Sequence, residues 1–83
     1  MLFEIHLART VDPSLLLSED ITRDGKVKLM TRDEARTAGF AGLPEPPVGM
    51  TVCYVAASGR DAKFVHHVLE NNPDVVAMRT HDE

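Results

Sequence analysis

The segment from Thr51 to Thr80 constrains the fold more than any other part of the chain. It opens with the apolar run 51–57, which is typical of a strand covered on both faces, or covered on one face and paired with another subunit on the other. A helical segment follows, in which apolar residues recur at the spacing of one buried stripe: Ala62, Phe64, Val65, Val68 and Leu69. Residues 71–73 (Asn-Asn-Pro) then favour a helix end, because Asn can adopt the left-handed turn and Pro cannot continue the helix. Residues 75–78 predict a last strand, and residues 81–83 (His-Asp-Glu) predict a polar tail.

Residues 2–7 predict a further strand, because they alternate between an apolar side and a side that carries Glu4 and His6. The crossover from residues 51–57 to residues 75–78 is short, so its two strands are direct parallel neighbours or are separated by one strand. Residues 2–7 are the candidate to lie between or beside them. We therefore expect a small α+β fold with a mainly antiparallel sheet and helices on one face, on a ferredoxin-like or split βαβ plan.

The middle of the chain carries weaker signals. Asp24-Gly25 supplies the positive φ angles of a tight turn, so residues 21–30 predict a hairpin at the edge of the sheet. Residues 12–20 predict a single helical turn or an irregular loop. Residues 41–49 contain three prolines and two glycines and predict a loop.

Residues 31–39 predict a short helix. Thr31 and Glu34 have the spacing of a capping box, in which each side chain accepts a hydrogen bond from the other residue's backbone N–H. Gly39 can adopt the left-handed conformation that ends a helix, and Phe40 follows it at the position of the accompanying apolar contact.

The length of 83 residues fits one domain over residues 1–83. A domain of this size has a small core and is only marginally stable by itself. Cys53 is the single cysteine, so no disulfide supports the fold, and no cysteine–histidine spacing indicates a structural zinc. Self-association is the usual remaining means of stabilisation, so we expect a homo-oligomer or a protein partner.

The charge balance bears on the class of partner. Lys and Arg number 9, Asp and Glu number 13, and the net charge is -4. An acidic chain without a basic stripe is a poor match for a phosphate backbone, so we expect no nucleic-acid partner. Residues 1–8 lack the basic start of a signal peptide and are interrupted by Glu4 and His6, and no apolar run has the length of a membrane span. With one unpaired cysteine, these features predict a cytoplasmic protein with no membrane partner.

One candidate ligand site is the turn Ser58-Gly59-Arg60, between the apolar strand and the following helix. Backbone N–H groups at a helix N-terminus and the helix dipole favour anions, and Arg60 can hold a phosphate or carboxylate. The favoured interpretation is structural: Ser58 caps the helix, Gly59 relieves the turn and Arg60 is solvated. The turn lacks a complete glycine-rich phosphate motif.

A second candidate is the pair His66 and His67, each within reach of Glu70 on a helix surface. Two ligands do not make a metal site, and His6 and His81 complete one only if the fold brings them near. The favoured interpretation is two exposed histidines beside a carboxylate. Either histidine is also a possible base or a pH-sensitive contact, since histidine titrates near neutrality.

The remaining reactive side chains have structural explanations. Cys53 lies in the middle of the apolar run, where a cysteine packs as a small apolar residue. Among the acidic residues around 20–34, Asp24 has a turn role, Glu34 a capping role and Asp33 a favourable place in a first helical turn.

Taken together, these patterns favour a small non-enzymatic interaction or assembly module that self-associates or docks on a protein partner, with Phe40, Leu43, Val48 and Met50 around the proline loop as a contact surface. The alternative is a small anionic-ligand-binding domain, or a minor enzyme, that uses Ser58-Gly59-Arg60 with His66 or His67 as base. No catalytic constellation, metal or cofactor is expected.

Overall fold

A four-stranded antiparallel sheet organises the part of the chain that the computed structural model describes, residues 1–8 and 11–81. The strands are β1 (Leu2–Ala8), β2 (Lys28–Met30), β3 (Met50–Ala56) and β4 (Val75–His81). The helices are a 3₁₀ turn (Pro13–Leu15), α1 (Glu19–Thr22), α2 (Arg32–Thr37) and α3 (Gly59–Glu70). Across the sheet the strand order is β2-β3-β1-β4.

The C-terminal crossover has the form that the sequence predicts. β3 leads into α3 and α3 into β4, while β1 lies between the two strands and is antiparallel to each. β3 and β4 are therefore parallel to one another and separated by one strand. The α+β class and the antiparallel sheet are confirmed. The apolar run 51–57 largely coincides with β3, an interior strand between β1 and β2.

One face of the sheet packs against α3. Alternate residues of β1 and β3 meet the buried stripe of this helix in the larger of two apolar clusters, whose members include Phe3, Ile5, Leu7, Cys53, Val55, Ala62, Val65 and Leu69. Phe64 was predicted in the stripe but is 53% exposed. Successive helical residues are about 100° apart, so Phe64 falls outside the narrow face that Ala62, Val65 and Leu69 define.

The opposite face is covered only in part. A smaller cluster of buried residues forms there from Leu2, Ala35, Leu43 and Tyr54. Because Ala35 belongs to α2, the expectation of helices on one face is wrong for this helix. Leu43 comes from the loop predicted at residues 41–49, which has no helix or strand. The loop and α2 together supply the apolar cover over this part of the face.

The ends of α2 follow the sequence signals closely. The Thr31 hydroxyl accepts from the Glu34 N–H at 3.2 Å, and the Glu34 carboxylate accepts from the Thr31 N–H at 3.1 Å, so the capping box is confirmed. At the other end Gly39 has φ +105°, and the Phe40 N–H donates to the Ala35 carbonyl at 3.2 Å. This bond, which spans the helix end, turns Phe40 back towards the smaller cluster.

The hairpin predicted at residues 21–30 is wrong. Ile21 and Thr22 of its first arm belong to α1, and only the second arm contains a strand, β2, which pairs with β3. The turn itself is present: Gly25 has φ +78° and the Asp24 carboxylate accepts from the Lys26 N–H at 3.0 Å. This Asx-type turn joins a helix to a strand as readily as it joins two strands, which explains the error.

The C-terminal region also departs from expectation. β4 runs on to His81, which was predicted to begin a polar tail; the other tail residues, Asp82 and Glu83, lie outside the described part of the chain. Asn71 ends α3 without a left-handed conformation, at φ −93°. Its side-chain amide donates to the His67 carbonyl at 2.8 Å and satisfies that helix end directly.

The helices are short. α3, with 12 residues, is the longest of those described. Over residues 1–8 and 11–81, no helix combines the length and the apolar character needed to cross a membrane.

Candidate functional site

Polar side chains collect on the partly covered face of the sheet, between β1 and β4. Residues directly opposite each other in an antiparallel pair project to the same side. Glu4 lies opposite Arg79, and Leu2 lies opposite His81. His6 shares the side of Glu4 because it is two residues further along β1. We call these four residues, Glu4, His6, Arg79 and His81, the polar face.

Glu4 is the centre of the polar face. Its side chain is fully buried, although it is ionisable and lies in the middle of the sheet. One carboxylate oxygen lies 2.5 Å from Nε2 of His6, and the other lies 2.9 Å from Nε2 of His81. The two histidines are partly accessible, with 14% and 26% of their side chains exposed. The buried carboxylate thus makes a hydrogen bond with each of two imidazoles, and solvent can reach both imidazoles.

Electrostatics explains how Glu4 stays ionised in this position. Burial by itself raises the pKa of the carboxyl group, but the hydrogen bonds and positive charges of His6 and His81 together outweigh burial, and the pKa lies below its ordinary value. The carboxylate form is therefore the one that this arrangement favours. The histidine pair supplies the hydrogen bonds without which burial of the charge is very unfavourable.

The geometry also assigns roles to the imidazole nitrogens. Since Nε2 of His6 and Nε2 of His81 both face the anionic carboxylate, each donates its N–H there. Nδ1 is then the nitrogen that can accept a proton. A carboxylate that orients an imidazole in this way also stabilises the imidazolium form, which is the arrangement used in general-base catalysis.

Two buried donors close to this region have no partner among the described residues. They are the Tyr54 hydroxyl and Nε of Arg32. Tyr54 is on β3 and lies opposite Glu4 of β1. Burial is the largest cause that raises the pKa of the Tyr54 hydroxyl group, and the negative charge of Glu4 is the next. The positive charge of Arg32 opposes the shift. The Tyr54 hydroxyl group therefore stays protonated. Arg32 itself donates through Nη2 to the Leu43 carbonyl at 3.0 Å.

The predicted turn Ser58-Gly59-Arg60 is only partly assembled into a site. Ser58 and Gly59 line an open cleft of about 680 Å³ together with Phe3, Lys63 and His66, whereas Arg60 is not among the lining residues. Ser58 occupies the N-cap position of α3, as the structural interpretation predicts, but its side chain makes no capping hydrogen bond.

The two predicted histidines on α3 are separated by the structure. His66 lines the cleft and its Nδ1 lies 3.5 Å from the Glu70 carboxylate. His67 is outside the cleft lining and has the Asn71 amide as its neighbour, at 3.4 Å. His6 and His81 are on the opposite face of the sheet from α3, so they do not complete a metal site with this pair. Within the described residues, no group of three or more histidine, cysteine or acidic side chains is arranged to hold a metal ion.

Cys53 is buried in the larger cluster, and burial raises the pKa of its thiol to about 11. A thiol of this kind is a poor nucleophile at neutral pH, in agreement with the packing role predicted for it. The acidic residues near the turn also have local partners: Asp20 pairs with Arg23 at 3.0 Å and Asp33 faces Arg36 at 3.9 Å.

Sequence reasoning missed the polar face as a unit. One signal was present: Glu4 and His6 are two apart in a predicted strand and therefore share a side. Nothing in the sequence relates them to His81, which is 77 positions from Glu4 along the chain and was assigned to a tail. Only the pairing of β1 with β4 brings the three side chains together.

Comparison with protein-family models, with curated proteins and with solved structures found no match for this chain.

Proposed function

We propose that this chain is a small assembly module that pairs with a second copy through the free edge of β4. The observation that carries the proposal is the contrast between the two edges of the sheet. One edge is β2, with three residues, and the other is β4, with seven. A long edge strand with unpaired backbone groups is a template for another strand, and two antiparallel copies of β4 are related by a two-fold axis.

The composition of β4 supports pairing. It has no proline or lysine, the residues that commonly protect an edge, and Arg79 is its single fixed positive charge. Val76 is 63% exposed and lies where the register of β1 and β4 shifts. A partner strand on this edge would cover the Val76 side chain.

The surfaces favoured by sequence alone give less support. β3 is apolar on both sides, but each side is covered by residues of the same chain. Leu43 is buried and Phe40 packs on the smaller cluster, which leaves Val48 as the strongly exposed apolar residue of the proline loop. The free edge of β4 is therefore better suited to association than β3 or the loop.

Sedimentation equilibrium tests association. We expect the wild type to show a reversible monomer–dimer equilibrium below a few hundred micromolar. Val76→Lys should raise the dissociation constant of the dimer at least about tenfold, because a lysine on the edge opposes strand addition. Val48→Lys is the matched control, since it makes the same change at an exposed valine away from β4.

Two results contradict the proposal. One is a wild type that remains monomeric at several hundred micromolar. The other is a Val48→Lys variant that dissociates as strongly as Val76→Lys, which assigns the contact to the loop.

The fold plan that accompanies this proposal is ferredoxin-like, or a split βαβ. The strand order β2-β3-β1-β4 and the β3–α3–β4 crossover support it. The insertion of α2 between β2 and β3, and the shortness of the helices between β1 and β2, are departures from that plan.

A cytoplasmic location is also part of the proposal. It is supported by the single, buried cysteine, which needs no oxidising compartment.

A second candidate function is the binding of a small anion in the cleft at the start of α3, with a minor catalytic role for His66. It is favoured by one observation: Lys63 and His66 line the cleft beside the first residues of the helix. Helix N-termini and cationic side chains both attract anions, and the cleft volume of about 680 Å³ is that of a small-molecule site.

Thermal unfolding with inorganic phosphate as the probe tests the second candidate. We expect phosphate to raise the melting temperature of the wild type, and Lys63→Ala to remove most of that rise. Arg60→Ala is the matched control, because Arg60 is exposed on the same helix but does not line the cleft. An unchanged wild-type melting temperature at about 50 mM phosphate rejects it, because a ligand well above its dissociation constant stabilises the folded state.

A further inference from the structure

We infer that the polar face is a binding site for a small oxyanion, a carboxylate or a phosphate, whose binding is coupled to proton uptake by His6 or His81. This site is distinct from the cleft at α3, on the opposite face of the sheet, and does not depend on pairing through β4. It rests on the arrangement of Glu4, His6, Arg79 and His81, which no part of the proposed function uses.

The burial of Glu4 in the sheet has a cost in free energy. A small domain gains little by burying a carboxylate, since a buried ion pair replaced by apolar residues often leaves a protein equally or more stable. Leu2 and Tyr54 show that large apolar and aromatic side chains fit on this face. A buried carboxylate in the middle of the sheet, where apolar side chains could have replaced it and its partners together, points to a functional role.

The polar face also carries one cationic side chain and two side chains that can accept a proton. Arg79 is exposed and lies directly opposite Glu4 in the sheet. His81 is two residues along the same strand and shares its side, and His6 is on the neighbouring strand. Within the described residues, Arg79 has no acidic side chain within ion-pair distance. Its planar guanidinium can therefore hold a carboxylate or phosphate through two parallel hydrogen bonds.

Anion binding on the polar face is coupled to proton uptake by a histidine. His6 and His81 direct Nε2–H at Glu4, so a proton taken up at Nδ1 produces an imidazolium whose charge Glu4 stabilises. An anion bound at Arg79 favours that charged form further, so a proton from solvent enters as the anion binds, and no other bond is made or broken. The other charged or titratable groups on this side include Tyr54 on β3, which stays neutral, Lys28 on β2, and Arg32 with the further charged residues of α2 (Asp33, Glu34 and Arg36).

The test observes the imidazoles directly. Malonate and, separately, inorganic phosphate are titrated at constant ionic strength, and the ring ¹⁵N and ¹H signals of all histidines are followed by NMR. We expect saturable shifts at His6 and His81 that persist in Lys63→Ala, whether or not His66 also responds through the α3 cleft. Arg79→Gln should weaken the apparent affinity at least about tenfold, since it removes the charged fork. Arg60→Gln, an exposed arginine on the other side of the molecule, should leave it unchanged.

Calorimetry in buffers of different ionisation enthalpy supplies the second measurement. We expect net proton uptake on binding at pH 7 and tighter binding at pH 6. The comparison of malonate with phosphate then shows which oxyanion the site prefers.

Four outcomes overturn the inference. The first three are the absence of saturable shifts with either anion, equal weakening by Arg60→Gln and Arg79→Gln, and binding with no net proton uptake. Shifts confined to His66, and lost in Lys63→Ala, also overturn it and support the α3 cleft instead. Because Arg79 is exposed on an edge strand, the Arg79→Gln variant is expected to fold, and its amide spectrum verifies this.

Discussion

Glu4 carries a charge at a position with no exposed surface, and its two hydrogen-bonding partners come from different parts of the chain. The bond from His6 is local to β1, whereas the bond from His81 ties the end of β4 to the centre of the sheet. The carboxylate is thus both the electrostatic centre of the polar face and a link between strands. Its contribution to stability depends on the charge being present.

Replacement of the carboxylate tests this role. Glu4→Gln should lower the free energy of unfolding at pH 7 by about 2 kcal/mol, because the amide has one acceptor oxygen and its NH₂ group faces an imidazole N–H. Glu70→Gln is the matched control: its carboxylate also pairs with a histidine, His66, but at an exposed position, so we expect a change below about 0.5 kcal/mol. Urea denaturation measures both, and equal effects would show that burial of Glu4 is irrelevant.

The same variant has a predictable pH dependence. The folded-state pKa of Glu4 lies below its ordinary value of 4.5. Its stabilising contribution is therefore complete above pH 4.5 and is lost as the pH falls through the lower folded-state value. The difference in unfolding free energy between wild type and Glu4→Gln should shrink in acid. A difference that grows below pH 4.5 would contradict the sign of the pKa shift.

Tyr54 offers the opposite case, a polar atom whose removal should be harmless. Its hydroxyl is buried and has no hydrogen-bond partner among the described residues. Tyr54→Phe should therefore change the free energy of unfolding by less than about 1 kcal/mol, or stabilise the protein slightly, since a buried unsatisfied group is removed and the ring is kept. A loss above about 2 kcal/mol in urea denaturation would mean that the hydroxyl has a partner in solution.

At the scale of elements, α2 is the best example of structure encoded locally. Its start, its end and the return of Phe40 each depend on residues within a few positions of one another. The hairpin predicted at residues 21–30 is the counterexample. Its Asp24-Gly25 turn forms as the sequence indicates, but the identity of the flanking elements depends on what they pack against, so the turn residues alone cannot determine it.

The capping box gives a prediction at this scale. Thr31→Ala removes the hydroxyl that accepts from the Glu34 N–H and should lower the free energy of unfolding by about 1 kcal/mol. Thr37→Ala, the same substitution in the last turn of α2, is the control. The Thr37 hydroxyl only bonds back to the Asp33 carbonyl, so its loss should be neutral or slightly stabilising in a helix. Thermal unfolding distinguishes the two, and the reverse order would contradict the role of the cap.

At the scale of the whole molecule, the sheet is held together by α3 on one side and by a thinner cover of α2 and the residue 41–49 loop on the other. The burial of a side chain depends more on its position relative to the sheet than on its size. Phe64 is larger than Val65 and was predicted to be equally buried, yet Val65 is fully buried and Phe64 is half exposed.

This contrast can be measured on one helix. Val65→Ala should lower the free energy of unfolding by about 2 to 3 kcal/mol, because it removes buried methyl groups and leaves a cavity at the sheet. Phe64→Ala should cost less than about 1 kcal/mol, although it removes more atoms, since an exposed ring contributes little. Urea denaturation of both variants checks the order. A larger loss for Phe64→Ala in a dimeric sample, together with weaker association, would instead locate an interface on α3.

Periodicity and local hydrogen bonding allowed the sequence by itself to determine the α+β class, the β3–α3–β4 crossover, the capped helix α2 and the packing role of Cys53. The helices and strands behind those features are each indicated by residues close together in the chain, and the physical signals act at that range. The tertiary structure alone decided which face of the sheet each helix covers, and which side chains meet on it. Glu4 and His81 become partners only because β4 pairs with β1 in one register, and a shift by one residue would turn every side chain of β4 to the other face.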